Sequence, residues 1–126
     1  MNKRIRVKQE NTSELLFLER SGRDGRDSES ISVSVEYVWN CPVAINICHC
    51  DCCEFNMENY GDYDIEWFIH IRDDAAQKLA SKFQAHDAAT LARNFADRFR
   101  PYGRDAMSKI TGWLDVKGIE YSTNTY

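Results

Sequence analysis

The chain has 126 residues, 43 % hydrophobic and 29 % charged, with 16 Lys and Arg against 20 Asp and Glu for a net charge of −4. That is one domain's worth of sequence, long enough to bury a core without metal or disulfide staples, and its composition is globular rather than disordered or fibrous. No run reaches the roughly 18 apolar residues of a membrane-crossing helix, and the basic start M-N-K-R-I-R-V-K lacks the apolar stretch of a secretory signal.

Two modest strand patterns come first, R-I-R-V-K and L-L-F-L-E, followed by the polar, glycine-bearing loop R-S-G-R-D-G-R-D-S-E-S. I-S-V-S-V-E-Y-V-W alternates without error, placing Ile31, Val33, Val35, Tyr37 and Trp39 on one face and Ser32, Ser34 and Glu36 on the other. Period two with β-branched and aromatic residues predicts a strand. Asn40, Cys41 and Pro42 punctuate it, and Val43, Ile45 and Ile47 continue the phase as the second arm of an antiparallel hairpin. D-I-E-W-F-I-H-I alternates again, with Ile65, Trp67, Ile69 and Ile71 toward the core.

After Ile71 the period becomes helical. Asp74 with Gln77 reads as a capping box ahead of Ala76, Leu79, Ala80 and Phe83. Asp87 is placed to cap a second helix bearing Leu91, Phe95 and Phe99, stopped by Pro101. A third opens at Gly103 or Asp105, carries Met107, Ile110, Trp113 and Leu114, and ends at Gly118. G-I-E-Y-S-T reads as a closing strand. The expected fold is a single α+β domain over residues 1–126, an antiparallel sheet of five to six strands with two to three C-terminal helices on one face.

Charge is unevenly distributed. No Lys or Arg lies between Asp27 and Ile71, a window holding nine acids, which leaves all 16 bases against 11 acids elsewhere. Such asymmetry speaks to partners rather than to fold. Within the window, Cys48, Cys50, Cys52 and Cys53 fall in six positions. A zinc site wants two short-spaced ligand pairs, and Cys50 with Cys53 supplies one; Cys41 and Cys48 are the candidates to complete it. A redox C-x-x-C sits at a helix N-terminus, whereas this one leaves a strand beside Asp51 and Glu54. The plainer reading takes Cys48 and Cys50 as small hydrophobes sharing a strand face under helices or a loop, in a reducing compartment where five thiols stay unpaired.

Asp62, Asp64 and Glu66 share one strand face with His70, a possible acid–base or cation set that is more often a solvated surface. Arg93, Arg98, Arg100 and Arg104, interleaved with Phe95, Phe99 and Tyr102, suit phosphate contact and stacking. Against that, the two phenylalanines fall on the helix core stripe and the chain's pI is near 5.3.

D-Y-D-I-E-W-F-I-H-I, a polar turn, helices and W-L-D-V-K-G-I-E-Y resemble small bacterial proteins with a D-x-E strand and a W-L-x-x-x-G-I-x-Y tail, over residues 60–126. Size, acidity and layout are similar to the immunity proteins of bacterial toxin–immunity pairs, including contact-dependent growth inhibition systems. That resemblance implies a cytoplasmic, stoichiometric, non-enzymatic binder that occludes a cognate toxin domain, often a nuclease with a basic cleft. With the residue readings above, the expectation is no cofactor, no metal, and no nucleic-acid or membrane partner. The expected binding face centres on Glu54, Glu58, Asp62, Asp64 and Glu66, with Phe55, Tyr60 and Tyr63 as aromatic anchors. A cysteine-based zinc-binding regulatory domain and a phage-type inhibitor or adaptor are the other readings.

Overall fold

The computed structural model describes residues 8–21, 27–53, 56, 57, 61 and 64–126. Its strands are β1 (Gln9–Ser21), β2 (Asp27–Val38), β3 (Cys41–Cys52), β4 (Asp64–Arg72) and β5 (Ser122–Thr125). They pair antiparallel in chain order, so β1 to β4 form a meander and β5 returns after the helices to lie on β4. The helices are α1 (Asp74–Lys82), α2 (Ala88–Phe99) and α3 (Ala106–Lys117), with a 3-10 segment at Arg100–Asp105. This is the expected α+β layout.

Register explains the core. Val33 faces Ile47, which faces Ile69; Val35 faces Ile45, which faces Ile71. Ile31 and Tyr37 extend this inner face, and helix residues Leu79, Leu91, Phe95, Ile110 and Leu114 close over it, all fully buried or nearly so. Each large apolar side chain buried this way contributes about 1.5–3 kcal/mol. Helix α2 lies against β1 and β2, and α1 against β3 and β4.

Helix ends follow local chemistry. Asp87 caps α2 by accepting from Thr90 N–H at 2.7 Å. Gly118 takes φ 67° after α3, and Ile119 N–H donates back to the Leu114 carbonyl at 3.0 Å, closing the helix end. Between α2 and α3 the chain turns at Gly103, whose φ 53° and ψ −126° suit only glycine.

Several expectations are corrected. Trp39 leaves the core face: with Asn40 it forms the two-residue turn between the paired Val38 and Cys41, at φ 52° and 61°, and is 56 % exposed. Val43 falls in a bulge opposite Glu36 and Tyr37, so Pro42 is buried in its place. Asp73, not Asp74, precedes the first turn of α1, with no side-chain cap; Gln77 N–H donates to the Asp73 carbonyl. Helix α2 does end at Phe99, ahead of Pro101 as expected, and Pro101 sits at the start of the 3-10 segment, where its missing N–H costs no bond. L-L-F-L-E is the middle of one long strand, and Asp27–Ser30 belong to β2 rather than to a loop. The closing strand starts only at Ser122. Most of R-I-R-V-K and residues 22–26 lie outside the described residues.

Candidate functional site: the outer face of the sheet

Helices α1, α2 and α3 close on the inner face of the sheet and leave its other face opposite them. The register defines its rows. Ser13, Ser34, Asn46, His70 and Ser122 form one, and Leu15, Ser32, Cys48, Phe68 and Asn124 the next. Leu18, Ser30, Cys50 and Glu66 follow, with Glu66 paired to Tyr126 through two backbone bonds of 2.8 and 2.9 Å. Arg20, Ser28, Cys52 and Asp64 form the last. The centre is therefore a serine ladder on β2 beside a thiol ladder on β3. Leu15, Leu18 and Tyr126 stand exposed at its margins.

Cys48, Cys50 and Cys52 share this face, as period two requires, but lie opposite the helices rather than beneath them. Burial pushes the Cys48 thiol up to about 11, with Glu66 and Cys50 adding to the shift. Burial and hydrogen bonds with Asp64 and Cys50 push Cys52 up to about 12. Cys50 is raised too, first by burial and then by Glu66, Asp64 and Asp51, against a lowering hydrogen bond with Cys52. All five thiols are free, and the ladder stays protonated at neutral pH, which removes the activated thiolate of redox catalysis. Cys41, at the other end of β3, is about 23 Å from Cys48 at 3.3 Å per residue, so the zinc set of Cys41, Cys48, Cys50 and Cys53 is not assembled. Among the described residues no group of three or more His, Cys, Asp or Glu is placed to hold a metal.

Of the expected binding residues, Asp64 and Glu66 lie on this face, Asp64 exposed and Glu66 half-buried. Glu54, Phe55, Glu58, Tyr60, Asp62 and Tyr63 lie outside the described residues. His70 shares the face but not a carboxylate: its Nδ1 is 2.7 Å from Asn46 Oδ1 and its Nε2 2.5 Å from Asn124 Oδ1. Phe68 stacks on it at 5.6 Å, between His70 and Glu66 along β4. Both ring nitrogens are taken up in tying β3, β4 and β5 together.

Sequence reasoning missed a second charged set, at the end of the inner face. Glu19 and Glu29 are direct ladder partners, Asp51 pairs Glu29 on the other side, and Arg104 reaches both glutamates at 2.8 Å. His49 Nε2 lies 3.4 Å from Glu29, without a hydrogen-bond partner among the described residues, its ring 5.2 Å from Trp67. The arginine–aromatic segment is likewise occupied within the fold. Phe95 and Phe99 are buried, Arg98 lies over the Phe99 and Trp113 rings, and Arg100 bonds Asp97, Glu14 and the Leu15 carbonyl.

No protein-family model, curated protein or solved structure matches this chain.

Proposed function

We propose that the chain is an immunity-type inhibitor, a cofactor-independent protein that neutralises a bacterial toxin domain by docking its acidic sheet face on a basic surface of that toxin. The observation that carries this reading is the sheet face opposite α1, α2 and α3, which bears the half-buried Glu36 and Glu66 and the exposed Asp64, with Arg20 and Arg72 at diagonally opposite corners. Its small central side chains admit a protruding partner, and Leu15, Leu18 and Tyr126 supply apolar contact at the rim. Carboxylates in such a patch raise the rate of encounter with a cationic surface and select its orientation. A nuclease-type toxin, whose cleft must attract phosphate, offers that complementary charge.

The test is co-purification of a toxin domain from a bacterial host, comparing two variants that raise net charge by the same two units. Asp64→Asn with Glu66→Gln alters the sheet face; Gln77→Lys with Ser81→Lys alters exposed positions of α1. Loss of the toxin by the first pair only is the expected result. Equal retention, or equal loss, removes the assigned face.

A further inference from the structure

We propose that Cys50 and Cys52 form a dithiol site for a pyramidal thiophilic centre, a trivalent arsenical of the type R–As(OH)2. The two side chains leave β3 on one face, two residues apart, and their Sγ atoms stand 3.3 Å from each other without a covalent bond. Ladder pairing on both sides holds that spacing: Cys50 lies between Ser30 and Glu66, and Cys52 between Ser28 and Asp64. The flanking serines are small, and both thiols are partly accessible.

The bite selects the ligand. With sulfur bonds of about 2.3 Å to a heavy centre, a 3.3 Å separation subtends roughly a right angle. A three-coordinate centre with a lone pair takes that angle. Linear monovalent copper needs a wider bite, and tetrahedral zinc needs further ligands that the described residues do not bring together. A disulfide is also a poor product here. It requires sulfurs at about 2.05 Å from side chains held apart on one extended strand, and an oxidant.

The chemistry balances without redox change. Two As–S bonds form, two As–O bonds break, and each thiol proton leaves with a hydroxide as water. The site stays neutral, so no pair of thiolate charges accumulates beside Asp64 and Glu66. This inference stands independently of the partner-binding reading.

The probe is phenylarsine oxide, added to the reduced full-length chain and read by intact mass and by thiol titration. One phenylarsenic group per chain is expected, with titratable thiols falling from the five of the sequence by two. C50S and C52S each weaken uptake at least tenfold, while C48S and C53S leave it unchanged. A C48S/C53S double variant, keeping Cys50 and Cys52, still binds one equivalent. No uptake by the native chain or by the double variant overturns the assignment, as does uptake that survives C50S and C52S or is lost equally in C48S.

Discussion

Glu19 on β1 and Glu29 on β2 face each other directly in the ladder, and Arg104, from the 3-10 segment, binds both carboxylates at 2.8 Å. Two like charges directly opposed in an antiparallel pair are destabilising. The guanidinium converts that repulsion into a tie between the sheet and the connection from α2 to α3. Its own pKa is raised, first by Glu29 and then by Glu19. Arg104→Ala should therefore lower Tm at low ionic strength, with the deficit shrinking as salt screens the two glutamates, of which Glu19 is exposed and Glu29 half-buried. Adding Glu19→Gln should restore part of the loss, because it removes the repulsion that Arg104 offset. Thermal melts at two salt concentrations check both points.

Asp87 gives a pH-dependent prediction. Its carboxylate accepts from the backbone N–H and then the hydroxyl of Thr90, and these bonds hold its pKa below the ordinary 3.8. A carboxyl depressed in the folded state stabilises above its unfolded value and loses that contribution as pH falls through the folded one. The Tm gap between native chain and Asp87→Ala should be constant above about pH 5 and should close as acid titrates the group. A gap unchanged at low pH would show that the cap does not depend on the charge.

Tyr37 works with the opposite sign. It is 1 % exposed, donates to the Ala85 carbonyl at 3.2 Å, and burial with nearby Asp87, Cys41 and Glu10 pushes its pKa from 10.0 to about 12. A group whose folded pKa is raised contributes fully below its unfolded value and loses that contribution as pH rises through the folded one. Stability should decline between pH 10 and pH 12, and Tyr37→Phe should flatten that decline while costing about 1 kcal/mol at neutral pH. Denaturant midpoints across the alkaline range supply the measurement.

Trp39 and Asn40 occupy a turn in which both central residues have positive φ. That geometry favours Asn-Gly, and a bulky residue at positive φ costs roughly 1–2 kcal/mol. Trp39→Asn with Asn40→Gly should stabilise the hairpin by about 1 kcal/mol, because Trp39 is 56 % exposed and gives up little burial. Urea unfolding of the double variant tests the sign.

What the sequence made legible follows from the range of each interaction. Strand β2 was readable because one buried face repeats every second residue, and α2 because Asp87 announces it within three residues. Trp39 was misread because alternation continues through the letters while the backbone turns after Val38; only the pairing of Val38 with Cys41 reveals the turn. The thiol ladder's common face followed from period two, but which face the helices cover is a tertiary fact. Glu29 with Arg104 is 75 residues apart in sequence, beyond any local pattern. Asp64 and Glu66 stand out in the sequence by charge and spacing, and the fold places them on the sheet face opposite α1, α2 and α3.

The proposed docking of that face is tested most directly by kinetics. The association rate with the co-purified toxin domain would be measured for the native chain and for Asp64→Asn with Glu66→Gln, across roughly 0.05–0.3 M salt. The expected result is an on-rate about tenfold slower for the variant at low salt, a shallower salt dependence, and convergence of the two at high salt. Identical rates and identical salt slopes would contradict an acidic sheet face as the toxin-binding surface.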